Sequence, residues 1–218
     1  MKKHYDEELI KHQSIGEKIA DSITHGIGAL LSIAALIILV VISSKIGDKW
    51  KIVSFSIYGA SLFILYLSST LYHSLPSGRA QRVFNIFDHA AIYVLIAGSY
   101  TPITLISMRG VWGWTLFGLI WGLAILGILY STFFTGKFKI LSTLIYLIMG
   151  WLVILAIKPM LRMVPHGMLI WLIIGGLFYS LGVIFYLWKN LRYHHMIWHL
   201  FVLAGSAAHF IGFLIYLT

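Results

Sequence analysis

Residues 23–43 read ITHGIGALLSIAALIILVVIS, a run of 21 residues that contains no Asp, Glu, Lys or Arg. A bilayer has a hydrocarbon core of about 30 Å, which takes about 20 helical residues to cross, so this run predicts a transmembrane helix. Six further apolar runs follow between short breaks rich in Lys, Arg, Gly and Pro, at 52–75, 86–106, 111–130, 139–157, 167–188 and 197–217. The sequence therefore predicts an all-α, polytopic membrane protein built as a bundle of seven transmembrane helices.

The composition agrees with a membrane protein and excludes an ordinary soluble domain. Hydrophobic residues make up 60% of the chain, charged residues 11%, and the mean hydropathy is +0.90. Long runs without alternation also exclude a membrane β-barrel, whose strands are about 10 residues long and alternate in polarity. The formal net charge of +9 comes from basic residues in the breaks between the runs, so we expect no nucleic-acid partner.

The distribution of basic residues predicts the orientation in the membrane. Residues 1–22 and the second, fourth and sixth loops carry ten Lys and Arg, whereas the other three loops carry six. By the positive-inside rule, the N-terminus is cytoplasmic and the C-terminus external. We expect a cytoplasmic segment at 1–22 and one transmembrane domain at 23–218, located in a cell membrane.

Small residues and cysteines set two further expectations. Gly118 and Gly122 form a GxxxG pattern in the fourth helix, which we interpret as close packing within the chain, with a homo-oligomer seam as the alternative. The chain has no cysteine, so any soft-metal site must use histidine, with a carboxylate as the remaining option.

Asp88 is the only acidic residue after position 48, and it lies in the apolar stretch FDHAAIYVLIAG. A carboxylate at membrane depth is costly, so it marks a candidate functional site.

Three histidines are predicted to lie at the same membrane level as Asp88. The second helix ends at His73 on the cytoplasmic side, where the third and seventh helices begin. His195 and His199 are four residues apart and so share one helical face, a spacing suited to a common metal ion. With His73 as third ligand, the fourth tetrahedral position stays open for water. An isolated HxxxH pattern is weak evidence for a metal site. The evidence is stronger here because His73 and Asp88 are predicted to lie at the same depth in the membrane.

Asp88 and Ser69 are the candidate catalytic residues. Asp88 could accept a proton from water at the metal. Ser69 precedes His73 by one helical turn and could orient a ligand or stabilise an oxyanion, or it could simply bond its own i−4 carbonyl. The missing Glu of HExxH argues against a zincin protease.

The other polar residues near this level are given weaker roles. His25 and His89 could support the site, but we interpret both as interfacial. Asp21 lies one turn before His25 and is expected to be solvated. His209 lies ten residues, or roughly 15 Å, beyond His199 and cannot share its metal.

The ordered motifs resemble a known family. SSTLYH (68–73), the Asp88 segment that continues into AIYVLIAGSYTP (91–102), and HMIWH (195–199) followed by AGSAAHF (204–210) are similar to the haemolysin III-like bacterial branch of the progestin and adipoQ receptor family. The opening EKIADSITHGIGA (17–29) fits as well, except that Asp21 stands where Asn is expected.

The resemblance implies a seven-helix protein with an intramembrane zinc ion bound by His73, His195 and His199, with Asp88 and Ser69 at the remaining polar positions. The wider superfamily includes alkaline ceramidases, and its bacterial members are linked by name to cytolysis and also to membrane-lipid homeostasis. We therefore expect a zinc-dependent hydrolase of an amide or ester bond in a membrane lipid. The alternatives are a sensor or receptor with a structural zinc ion, and a cytolytic pore or an ion or proton transporter.

Overall fold

The computed structural model describes residues 13–218, and the described chain is helical without a β-strand. Seven helices are long and apolar enough to cross a membrane: α1 (Ile15–Ile46), α2 (Lys49–Ser74), α3 (Arg79–Ser107), α4 (Val111–Phe134), α5 (Lys139–Met163), α6 (His166–Leu187) and α7 (His194–Tyr216). The predicted seven-span, all-α architecture is confirmed.

Helix α1 begins at Ile15, eight residues before the predicted apolar run. Ser14 caps it: the Ser14 hydroxyl accepts a hydrogen bond from Glu17 N, while the Glu17 carboxylate accepts one from Ser14 N. This reciprocal capping box satisfies backbone donors that a polar first turn would otherwise leave open. The helix therefore already includes Asp21 before it reaches the long apolar run, which contains His25.

Two spans contain irregular turns. Helix α3 changes from α- to π-helix at Ile103–Ser107, directly after Pro102. Pro102 has no backbone N–H to donate, and beside it the hydroxyl of Thr104 donates a hydrogen bond to the Tyr100 carbonyl at 3.0 Å. Helix α5 contains a 3-10 segment at Leu152–Ala156, where the hydroxyl of Tyr100 accepts a bond from Val153 N at 2.9 Å.

The packing of the helices brings the first and last helices together. Helix α1 packs along α2, α2 along α3, and α6 along α7, while α7 also contacts α1. A buried apolar cluster with contributions from all these helices fills the centre of the bundle. Large apolar side chains cover the outside, as expected for a surface that faces lipid. Closure of α7 onto α1 places the start of α7 beside the first turns of α1.

The prediction that Gly118 and Gly122 pack inside the chain is wrong. A Cβ added at either position would meet no atom within 4 Å in the described part of the chain. The inward face of α4 is formed instead by a different set: Gly113, Leu116, Ile120, Ala124, Gly127 and Ser131. Two residues along a helix correspond to about 200° of rotation, so a motif at 118 and 122 faces away from a core lined by residue 120.

A buried network of hydroxyl groups joins α2, α6 and α7 deeper in the bundle. Ser206 Oγ accepts a hydrogen bond from Tyr66 Oη at 2.7 Å and lies 2.9 Å from Tyr179 Oη. Tyr58 Oη donates to the Ser206 carbonyl at 3.2 Å. Inside the bilayer no water is present to bond these polar groups, so they must form hydrogen bonds with one another. Ser206 is the residue that connects the three tyrosines.

We expect Ser206→Ala to destabilise the protein by about 1–2 kcal/mol, because it removes the shared partner of the Tyr66 and Tyr179 hydroxyls. The melting temperature in detergent should fall by about 2–6 °C. Ser142→Ala is the control, since within residues 13–218 the Ser142 hydroxyl bonds the Phe138 carbonyl one turn before it and no side chain of another helix. Equal melting temperatures for the two variants would contradict the stabilising role of Ser206.

An odd number of crossings predicts that the two ends of the chain lie on opposite faces of the membrane. A reporter fused at residue 3 should be cytoplasmic and one at residue 218 external, since the ten-to-six distribution of basic residues favours that orientation. Protease or label accessibility in intact cells measures both. Equal accessibility of the two reporters would contradict seven crossings.

Candidate metal centre

The end of α2 and the beginning of α7 place three histidines together. His73 lies in the last turn of α2, and His195 and His199 lie in the first two turns of α7. Helix α7 starts sharply because Tyr193 adopts the left-handed conformation with φ of 57°. The neighbouring His194 turns away, and its Nδ1 lies 3.1 Å from the Phe185 carbonyl at the end of α6.

The three imidazoles form a compact group. One ring nitrogen from each of His73, His195 and His199 lies within 4.8 Å of the others. Ring centroids are 4.6 Å apart for His195 and His199, 4.9 Å for His73 and His195, and 5.2 Å for His73 and His199. His73 is 7% exposed and His199 1%, while His195 is half-buried. Such a group could hold a metal ion.

The bonding state of the ring nitrogens fits a metal ion. His199 Nδ1 lies 3.2 Å from the Asp21 carbonyl oxygen. If Nδ1 carries the proton and donates it to that oxygen, Nε2 keeps a free electron pair that can bind a metal ion. His73 Nε2 is buried and has no hydrogen-bond partner within residues 13–218. Tetrahedral ligands at Zn–N distances of about 2.0–2.1 Å lie about 3.3 Å apart, so small side-chain rotations would complete the geometry. Within residues 13–218 the group offers three nitrogen ligands, one fewer than the four that zinc usually takes.

Asp21 is not solvated, so that expectation is wrong. Its side chain is 1% exposed, and Oδ2 lies 3.5 Å from His73 Nδ1. The same oxygen accepts a hydrogen bond from Gln13 Nε2 at 3.1 Å. The reason is that α1 is already helical at this point and packs against α2, which turns Asp21 toward the histidines rather than toward water.

His25 is likewise buried rather than interfacial. It is 3% exposed, and its ring stacks on that of His199 with centroids 3.4 Å apart and 12° between the planes. The edge of Tyr66 packs against it at 5.0 Å. His25 thus fixes the plane of one member of the three-histidine group while standing outside the group itself.

Ser69 and Asp88 lie on the neighbouring helices α2 and α3. Ser69 is buried one turn before His73, and its hydroxyl has no hydrogen-bond partner within residues 13–218. The Asp88 side chain is half-buried. Asp88 is not among the residues that could share the ion. Its predicted role as a base, like that of Ser69, stays a prediction.

His89 and His209 lie outside the group. His89 Nδ1 lies 2.9 Å from the Asn85 carbonyl of its own helix, and its main-chain oxygen accepts a hydrogen bond from Tyr146. His209 lies deeper, with Nε2 3.4 Å from the Leu172 carbonyl, and packs against Gly175 of α6. The prediction that His209 does not share the ion agrees with this position.

The contact by which Glu17 ties α1 to the start of α7 was not predicted from the sequence. Glu17 Oε1 accepts a hydrogen bond from Tyr193 N at 3.1 Å, while Oε2 accepts bonds from Ser14. The Ser14–Glu17 spacing is that of a capping box, and this signal could have extended α1 to include Asp21. Glu17 therefore helps to hold His195 and His199 against α1.

We expect purified protein to bind about one zinc ion per chain and His73→Ala, His195→Ala or His199→Ala each to deplete it, because two ligands hold zinc poorly. His194→Ala is the matched control, since His194 is adjacent but bonds the Phe185 carbonyl instead. Elemental analysis of protein purified without chelators measures the content. Undiminished metal in all three variants, or none in the parent protein, would rule out the site.

Comparisons with known proteins cover nearly the whole bundle. The chain matches the family model described as haemolysin-III related over residues 14–210. It is 53% identical over 205 residues to hemolysin-3 of Bacillus cereus, a match that covers 94% of this chain and 93% of that protein. It is 50% identical over 203 residues to the hemolysin-3 homolog of Bacillus subtilis (strain 168), covering 93% and 95%.

A more distant relative is human. The monocyte to macrophage differentiation factor is 30% identical over 200 residues, which cover 89% of this chain and 82% of that protein. The family match includes the first turn of α1, the histidine group and most of α7. With seven membrane-spanning helices, the chain is a multi-pass membrane protein, and it belongs to the haemolysin III-related family, the bacterial branch of the progestin and adipoQ receptor family.

Proposed function

We propose that this protein is a zinc-dependent hydrolase of the bacterial plasma membrane that cleaves an amide or ester bond of a membrane lipid and so contributes to membrane-lipid homeostasis. The supporting observation is the compact group of three histidines at one end of a transmembrane bundle, with Ser69 one turn from His73 on α2 and Asp88 on the neighbouring α3. A structural zinc site is closed by four protein ligands, whereas the described residues provide a group of three. An open fourth position favours chemistry over a purely structural ion.

The residues present divide into those that hold the ion and those that act on substrate. A zinc ion held by His73, His195 and His199 supplies polarisation of a carbonyl and lowers the pKa of water toward about 7. Asp88 accepts a proton from the attacking water at its carboxylate. It then returns the proton to the leaving nitrogen or oxygen as the acyl bond breaks. The Ser69 hydroxyl orients the Asp88 carboxyl or donates to the developing oxyanion.

A lipid is the substrate class that suits this location. His73 and His195 lie in the end turns of their helices rather than at the middle of the spans. The carbonyl groups of membrane lipids lie in the same interfacial zone, between the headgroups and the hydrocarbon core. A lipid carbonyl can therefore reach the site without leaving the bilayer, and His195, being half-buried, is the most accessible of the three histidines.

Asp88→Asn separates a chemical role from a structural one. The amide keeps the shape of the side chain but cannot take up a proton, so lipid hydrolysis should fall by about 10²–10⁴-fold while zinc content persists. The assay is release of fatty acid from labelled ceramides and phospholipids by protein in bilayers. Asp48→Asn is the control, because Asp48 caps α2 at the end opposite His73.

The outcomes also decide between an enzyme and a sensor. Loss of zinc in Asp88→Asn would assign Asp88 a structural role. A different result would favour a non-enzymatic sensor with a structural zinc ion. In that case the zinc-loaded parent protein hydrolyses no member of a broad lipid panel, yet cells that lack the protein still show an altered membrane composition.

A further inference from the structure

Asp21 contacts two of the three histidines through two different parts of the same residue. Its side-chain Oδ2 lies 3.5 Å from His73 Nδ1. Its main-chain carbonyl oxygen lies 3.2 Å from His199 Nδ1. In both cases the contact is to Nδ1, so the Nε2 atom of each ring is left to face the shared centre. We infer that Asp21 is the positioning residue of the metal site: it sets which nitrogen of His73 and of His199 binds the ion, and its carboxylate balances part of the ion's charge.

Tautomer selection is the first part of this role. A neutral imidazole carries one N–H, and a hydrogen-bond acceptor at Nδ1 holds that proton there. Metal-bound histidines commonly donate their second N–H to a carboxylate or a carbonyl, which also fixes the orientation of the ring. Asp21 offers one acceptor of each kind. His73 Nε2, which is buried without a partner in the described chain, is the nitrogen that this arrangement leaves for the ion.

Charge balance is the second part. A divalent ion bound by three neutral imidazoles keeps both positive charges, which is unfavourable inside a bundle that excludes water. Asp21 is a buried carboxylate with no Lys or Arg within ion-pair distance across residues 13–218, and its Oδ1 has no hydrogen-bond partner there. A buried carboxylate without a cation is itself costly. The ion and the carboxylate therefore each lower the cost of burying the other.

The surrounding structure holds Asp21 in this place. Gln13 Nε2 donates to Oδ2 at 3.1 Å from the turn that precedes α1. His25, one turn further along α1, stacks on His199 at 3.4 Å. Thus Asp21 and His25 form an i, i+4 pair on α1 that faces the i, i+4 pair His195 and His199 on α7. Helix α1 carries no member of the three-histidine group but contacts two of its three members.

This inference rests on the proposed metal site, and its test uses metal binding rather than lipid turnover. Zinc dissociation constants are measured by chelator competition for the parent protein, Asp21→Asn and Asp48→Asn in detergent. We expect Asp21→Asn to weaken zinc binding by about 10–100-fold, the usual effect of removing a residue that supports a metal ligand. Asp48→Asn should bind as the parent does, since Asp48 only caps the start of α2.

A spectroscopic readout separates positioning from general stability. The visible absorption of bound Co²⁺ reports coordination geometry, and we expect its bands to shift or lose intensity in Asp21→Asn but not in Asp48→Asn. If Asp21→Asn does not fold, Asp21→Glu keeps the charge and moves the carboxylate by one methylene. It should weaken zinc binding less than tenfold yet still change the Co²⁺ spectrum.

Each outcome bears on a distinct claim. An unchanged zinc affinity and Co²⁺ spectrum in the folded Asp21 variant, with a parent protein that binds zinc, would overturn the role of Asp21 and leave the metal site standing. A parent protein that binds no zinc would overturn both. A parent that binds zinc but hydrolyses no lipid would reject the hydrolase alone, because the affinity and spectral comparisons do not depend on turnover.

Discussion

The structure depends on one constraint: a polar group inside this bundle cannot be satisfied by water and must find its partner on another helix. The inward face of α1 shows the consequence, since it carries Asp21, His25 and several small polar residues rather than large apolar ones. Those groups meet His73 from α2 and His199 from α7. Deeper in the bundle, three tyrosines meet Ser206 for the same reason. The polar residues of an apolar chain are thus drawn into a few shared clusters.

The seven spans and the three-histidine group were predictable because they depend on features that a sequence displays directly. Span number follows from the length of the apolar runs, which the bilayer thickness requires. The pairing of His195 with His199 follows from helical periodicity, and their approach to His73 follows from alternating helix direction together with short loops. These features determine how deep a residue lies along the membrane normal. They do not determine how a helix is rotated about its own axis.

Helix rotation is where the predictions about Asp21, His25 and the α4 glycines were wrong. Asp21 lies in a polar stretch before the long apolar run, so the local hydropathy predicted that its side chain is exposed to water. The capping box at Ser14, however, makes Asp21 part of a helix. Buried positions along α1 include 21, 25, 28, 32, 35 and 39, a spacing that identifies the inner face by its small and polar residues. In a membrane helix the polar stripe faces the protein, the reverse of a soluble helix. Applied to α4, the same criterion would have selected the face of Gly113 and Gly127 instead of the GxxxG motif.

Asp21 on α1 and Asp88 on α3 have different surroundings, and these suit different tasks. Asp21 is fully enclosed, and both its main-chain and side-chain oxygens contact histidines, so it has little freedom to exchange protons with a substrate. Asp88 is only half-buried. Reaction chemistry needs a base that can approach water, whereas metal binding needs a fixed charge that cannot leave. In the proposed hydrolase, burial therefore assigns the fixed charge to Asp21 and leaves Asp88 to handle the proton.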